Sequence, residues 1–439
     1  MENKEIEVDV NKQYKIPANI VKKHIDDKVL VISVDTANWI VLHNKNQETI
    51  FEILTNKPIQ YAIEYVENNN LDIDELIHVL TQIEAKCFEK TKDKNVDIMG
   101  MCIYLTNECN LHCSHCYMYS GIKKNNELNT DEIFRLLNNF REFGGKVVTF
   151  TGGEVTQRND LVEIINYSKS LGLVNTILTN GTQWDIKLIN NTYESIDEIQ
   201  ISIDGYDERS NSFIRGENNF CTSLKTVDEF YNRNVKVTVA VTPILPIDVD
   251  KYIEFGKNLL FKYNRDSFNL KFTYELIKGR DRQVTNIDNI EYKEIIEGIV
   301  EILYPNNKNE KFVLNHKNNI LFSNCGYGGI TIASNGDVYF CNRITELKCY
   351  GNVRSTTFKE IVNMSSWVKQ ISDVDNLFPC KECDLRYICG GGCRIAYFPK
   401  VISKVVYESS GCNSERYCDN NIKLSLYQKM VETNELFYY

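Results

Sequence analysis

The sequence predicts an α/β protein built on an open, partial barrel of six parallel strands, with a small α/β unit before it and a cysteine-rich segment after it. Three observations carry this reading. Strand-like and helix-like runs alternate from Met101 to about Arg280, the pattern of a parallel sheet with crossover helices. An N-terminal stretch joins two β-rich runs to three helical ones. Ten of the 15 cysteines fall into spaced groups: three at 109–116, two at 325 and 341, five between 380 and 412.

In chain order, residues 1–95 are the first unit. VLVISV (29–34) and NWIVL (38–42) read as strands joined by the polar turn DTA, and helices are expected around 48–54, 59–66 and 72–86. In the last, Asp72 is placed to cap with Glu75 three residues on, and Leu76, Val79, Leu80 and Ile83 repeat at helical spacing. The charged run EKTKDKNVD (89–97) reads as a linker. Residues 96–304 supply the strands CIYL (102–105), VVTF (147–150), TILT (176–179), IQISI (199–203), VTVAV (237–241) and LKFTY (270–274). Helices such as 130–143 and 161–171 lie between them. Six strands are too few to close the eight-stranded barrel, so the barrel stays open, with its site at the C-terminal ends of the strands. Residues 305–439 change character: short segments, turns such as SNGD (334–337) and CGGGC (389–393), and dense cysteines suggest a small fold pinned by metal.

Composition narrows the function. The length of 439 residues suits two or three domains with sizeable cores. A formal net charge of -10, without a basic patch, argues against a nucleic-acid groove. No apolar run reaches membrane-span length, and MENKEIEVDV lacks the order of a signal peptide, so a cytoplasmic protein is expected. In that compartment dense cysteines indicate metal or redox chemistry rather than structural disulfides. Cys87 and Cys102 stand apart and read as small buried hydrophobes.

The stretch CNLHCSHCYMY places Cys109, Cys113 and Cys116 at C-x3-C-x2-C directly after a strand. Three thiolates hold three irons of a 4Fe–4S cluster and leave the fourth open to an amine and a carboxylate. The later strands end in TGGEVT (Thr151, Gly152, Gly153, Glu154), TNGT (179–182, with Asn180) and SIDG (202–205), followed by Arg215-Gly216 and Gly279-Arg280. Arg215 alone would read as a surface arginine and Asp204 as a turn aspartate; their order after successive strands changes that. The set resembles the radical S-adenosylmethionine superfamily. The resemblance implies S-adenosylmethionine on the open iron of one catalytic 4Fe–4S cluster, with His115 at the usually aromatic position and Ser202 and Arg215 on the methionine carboxylate. It also implies that Gly152, Gly153, Glu154 and Asn180 line the cofactor, a carbonyl or carboxylate of the TGGE turn accepting from the methionine ammonium. Val155 stands where the family usually has proline.

The later cysteines run Cys325-x10-Gly336-x4-Cys341, then Cys380-x2-Cys383-x5-Cys389-x3-Cys393, then an 18-residue gap to Cys412. C-x2-C pairs suit tetrahedral zinc as well as iron–sulfur clusters. With the upstream motif, the order resembles the SPASM extension and implies two auxiliary iron–sulfur clusters. By that resemblance Cys380, Cys383, Cys389 and Cys412 hold the farther cluster, and Cys325, Cys341 and Cys393 the nearer one. NHKNNILFSN offers no cysteine for the nearer cluster's usual fourth position. That leaves an open iron, or recruitment of Cys349 or Cys418.

VLVISVDTANWIVLHN and the helices after it resemble the RiPP recognition element, a winged-helix-like domain that takes a leader peptide as an added strand. Trp39 there reads as core. Together the three parts resemble peptide-maturing radical enzymes. The expected partners are a precursor peptide and a flavodoxin- or ferredoxin-type reductant, with no nucleic acid and no membrane. The expected product is a thioether between a cysteine sulfur and carbon. Carbon–carbon cross-linking, sulfatase-maturase-like oxidation and a zinc-stabilised, non-catalytic peptide-binding module remain as rivals.

Overall fold

A computed structural model describes residues 9–90, 93–94, 99–285, 288–305, 312–316, 319–398, 418 and 420–438. The chain divides into two compact units: one within 1–96, 306–325 and 371–439, the other within 97–305 and 326–370. The segment after Pro305 therefore does not stand as a third body; it is shared between the two.

In the first unit, β1 (Ile20–Ile25), β2 (Lys28–Ser33) and β3 (Asn38–Leu42) form an antiparallel sheet, followed by α1 (Lys45–Asn56), α2 (Ile59–Asn68) and α3 (Ile73–Ala85). The winged-helix-like order is as expected, with β1 an added strand: IVKKHI alternates too weakly to stand out. Asp72 caps α3 through the Asp74 amide, but Glu75 closes no capping box; its carboxylate accepts from the Asn44 amide group instead.

Burial on both faces explains why β3 reads as a continuous apolar run. Val31, Ile40 and Leu42 face a core with the three helices, while Leu30, Ile32, Trp39 and Val41 face Leu385, Ile388, Tyr427 and Met430. Trp39 is core, and its indole N–H donates to the Met430 carbonyl at 3.1 Å. The outer edge of β3 is closed by glutamines. The Gln82 carboxamide accepts from the Val41 amide at 2.7 Å and donates to the Val41 carbonyl, and Gln47 accepts from the His43 amide at 2.7 Å.

In the second unit, the barrel strands are β4 (Gly100–Tyr104), β5 (Val147–Thr151), β6 (Val174–Thr179), β7 (Glu198–Ser202), β8 (Lys236–Val241) and β9 (Phe268–Phe272), all parallel and in sequence order. Side chains alternate across each strand. Val148, Phe150, Ile177, Ile199, Ile201, Val237 and Val239 are fully buried, while Thr151, Leu178, Gln200 and Ser202 line a cavity. The sheet does not close. Beyond β4 it continues through β10 (Ile330–Ile332), β11 (Asp337–Tyr339) and β12 (Gly351–Asn352). The SNGD turn joins β10 to β11 as a hairpin. No helix among the described residues is long and apolar enough to cross a membrane.

Replacing Gln82 with alanine strands the Val41 N–H, while the Val41 carbonyl keeps the His78 imidazole at 3.3 Å, and is expected to cost about 2 kcal/mol. Hydrogen exchange of the peptide spanning 38–42 should accelerate accordingly; unchanged protection there would refute the capping role.

Candidate functional site

The cavity at the C-terminal ends of the barrel strands has a volume of about 310 Å³, and Cys109, Cys113, Cys116, Ser202 and Arg215 all line it. The cysteine loop after β4 is held from several sides. The Cys109 amide donates to the Gly121 carbonyl at 3.0 Å, and Ser114 N–H to the Ile214 carbonyl at 3.0 Å. Gly279-Arg280 clamps the loop: the Arg280 amide donates to the Cys116 carbonyl at 3.1 Å and its guanidinium to the Cys113 carbonyl at 3.0 Å. A Cβ at Gly279 would lie 2.3 Å from the His115 carbonyl oxygen, so only glycine lets this segment close on the loop.

The TGGE turn has a different use from the one expected. Gly152 and Gly153 line the cavity, but their lack of a side chain serves protein backbone. A Cβ would meet Thr106 oxygen at 2.5 Å from Gly152 and Glu108 oxygen at 2.3 Å from Gly153. The Gly153 and Glu154 amides donate to these same carbonyls, each at 2.8 Å. Glu154 is sealed behind the wall, and its carboxylate accepts from Thr179 Oγ1 at 2.6 Å and the Asn180 amide at 2.7 Å. Burial pushes its pKa up against these hydrogen bonds. Glu154 thus positions the TNGT turn. Asn180 itself lines the cavity and donates to Asn110 at 2.9 Å.

Asp204 is the organiser that sequence reading undervalued. It is fully buried; its carboxylate accepts from Arg215 Nε at 2.5 Å and the Thr242 amide at 2.8 Å, and lies 3.3 Å from His115 Nε2. Arg215 ends α7 (Glu208–Arg215), whose cap is a box between Asp207 and Ser210. Its Nη1 lies 4.0 Å from Cys113 sulfur. Burial works against the Arg215 charge, but Asp204 and the cysteines outweigh it and raise its pKa. Burial lowers the His115 pKa, and its Nδ1 is buried without a partner. Burial also raises the Cys113 thiol and pushes Cys109 up to about 11, so metal, not solvent, must displace their protons.

Three thiols, an oriented guanidinium, a serine and an orphaned imidazole nitrogen on one cavity fit a 4Fe–4S cluster with S-adenosylmethionine. Cys109, Cys113 and Cys116 would hold the cluster, and Arg215 and Ser202 the carboxylate.

The later cysteines separate between the units. Cys341 is buried in the barrel unit, and Cys102, expected as a small hydrophobe, is pushed up to about 12 by burial and then by Cys341. In the other unit a loop carries Cys380, Cys383 and Cys389, with Asn324 donating to the Cys389 carbonyl at 2.8 Å. Arg394, which sequence reading missed, is fully buried and donates to the carbonyls of Ser372 and Gly390 at 2.8 and 2.9 Å. Cys325, Cys380 and Cys389 all act on its charge, so it stands ready to offset thiolates. Cys412 lies outside the described residues. Cys383, whose sulfur lies 3.8 Å from Asp384 Oδ1, is drawn down to about 7, chiefly by Cys418, which was expected as a recruit for the nearer cluster. Cys349 is exposed, its thiol 3.0 Å from the Gly351 carbonyl.

Comparison with known proteins places this arrangement. The radical SAM superfamily matches residues 103–256, and the SPASM iron–sulfur cluster-binding domain matches 324–384. Barrel, cavity and matches define a radical S-adenosylmethionine enzyme. In this chain the radical SAM match is followed by the SPASM match. The Fe-coproporphyrin III synthase of Methanosarcina barkeri is 33% identical over 140 residues, 31% of this chain and only 35% of the relative. The mycofactocin maturase MftC of Mycolicibacterium smegmatis is 26% identical over 315 residues, 67% of this chain and 77% of the relative. The fold resembles that of Streptococcus suis SuiB bound to its precursor peptide SuiA, with TM-score 0.54, 15% identity, and 88% and 96% of the two chains covered.

Two variants test the site. Gly153→Ala should displace the Cys109 loop and reduce reconstituted iron by about four per chain, measured beside a melting curve. Asp204→Asn should leave iron unchanged but weaken S-adenosylmethionine binding about tenfold, about 1.4 kcal/mol, by anaerobic equilibrium dialysis.

Proposed function

We propose that this enzyme matures a ribosomally made peptide and installs thioether cross-links between cysteine sulfur and carbon. The observation that carries the reading is the joining of the three-thiol cavity to a winged-helix-like unit in one chain. The maturase named among its relatives supports it. When bound, the clusters and S-adenosylmethionine supply one-electron chemistry, cleavage to a 5′-deoxyadenosyl radical that takes hydrogen from carbon, with an auxiliary cluster as sink for the second electron. The protein's own part is placement. Arg215 and Ser202 fix the methionine end, the glycine turn seals the loop against its own strand, and Gln200, Lys271 and Glu275 offer polar contacts to the substrate from the wall. Glu275 is held by Arg343 at 3.0 Å. A leader would add at the β1 edge, because glutamines occupy that of β3.

Anaerobic reconstitution with reductant should give 5′-deoxyadenosine, abolished by Cys113→Ala. With a precursor peptide as substrate, each cross-link should remove two hydrogens and one alkylatable thiol. Loss of two hydrogens with every thiol still alkylatable would replace thioethers with carbon–carbon links. The relative named as a porphyrin synthase favours a second reading, porphyrin modification; turnover of Fe-coproporphyrin III in place of any peptide would establish it.

A further inference from the structure

Lys271 stands apart from the other charged groups of the barrel cavity. His115, Arg215 and Glu275 also line it, and each has its counter-charge. Asp204 lies 3.3 Å from His115 and 2.5 Å from Arg215, and Arg343 lies 3.0 Å from Glu275. The Lys271 ammonium has no hydrogen bond or ion pair among the described residues. We infer, on the maturase reading of this cavity, that Lys271 receives a carboxylate of the peptide, so that the substrate carries an acidic group close to the residue being modified.

Strand register gives Lys271 its place. On β9 it pairs with Ala240 of β8, and Ala240 pairs with Ser202 of β7. The three form one rung across the barrel wall, and all line the cavity. Two strand spacings, about 10 Å, therefore separate the backbone of Lys271 from that of Ser202, where the methionine carboxylate is expected. Ala240 contributes only a methyl group to the rung, so the wall between the two stays low. Two residues further along these strands, the Thr242 and Thr273 hydroxyls bond each other at 3.0 Å. Glu275 does not compete for the ammonium, because Arg343 binds its two oxygens at 3.2 and 3.0 Å. β9 is the last strand on its side of the sheet, and Lys271 is exposed there. The full negative charges an unmodified ribosomal peptide can bring are Asp, Glu and its terminal carboxylate. Three donors on a flexible stem suit a carboxylate on either side-chain length.

The probe is a precursor peptide that the anaerobically reconstituted enzyme converts, with versions in which each acidic side chain and the terminal carboxylate is changed to the amide, one at a time. Lys271→Met should raise the KM for the parent peptide about fivefold, and Lys271→Arg should not. Equilibrium dialysis should find S-adenosylmethionine binding unchanged in both. One amide version should raise the KM of the unaltered enzyme equally and add nothing further to Lys271→Met. An unchanged KM, additive effects at every position, or weakened S-adenosylmethionine binding overturns the assignment, the last by giving Lys271 to the cofactor. If the enzyme converts no precursor peptide but turns over Fe-coproporphyrin III, the maturase reading falls separately. A KM for that porphyrin, which bears propionate carboxylates, that rises in Lys271→Met keeps the carboxylate contact; one that does not rise removes it too.

Discussion

Asp204 is fully buried, and a carboxylate is tolerated there only while cations and N–H groups surround it. Arg215 from the end of α7, Thr242 past β8 and His115 from the cysteine loop supply them. Four pieces of chain, far apart in sequence, thus meet on one side chain. Removing any partner leaves a buried charge exposed to its own desolvation cost, so the geometry is enforced by what its loss would entail. Glu154 performs the same work on the other flank, binding the β5 turn to the β6 turn. Between these two anchors the cavity wall is set before any cofactor arrives.

The segment 326–370 is an extension of the barrel sheet. β10 pairs in parallel with β4, Arg343 reaches Glu275, and Arg354 binds Glu132 at 2.6 Å within the capping box of α4 (Thr130–Glu142). Cys341 therefore rides on the barrel's own hydrogen-bond ladder, whereas Cys380, Cys383 and Cys389 sit on a loop fixed by Arg394 and Tyr427.

The sequence disclosed the six barrel strands to within about two residues, because each places buried aliphatics on alternate positions between polar turns. The three N-terminal helices were equally readable. β10–β12 were not: two or three residues give no period, and only pairing with β4 makes them strands. Within the site, residue types at strand ends converge on one cavity. Which side chains face it and which brace it was hidden, because Glu154 and Asp204 look alike in sequence to carboxylates that touch ligand.

The glutamine caps on β3 limit what that edge of the sheet can offer another chain. An exposed edge rewards any extended chain with fresh backbone hydrogen bonds, whatever its side chains. At Val41 those bonds already exist, and Asn434 further holds Gln82 at 3.0 Å. A strand arriving there trades one amide for another and gains almost nothing from its main chain. Promiscuous edge-to-edge association of a strand that is apolar from Trp39 to Leu42 is thus suppressed at no cost in charge.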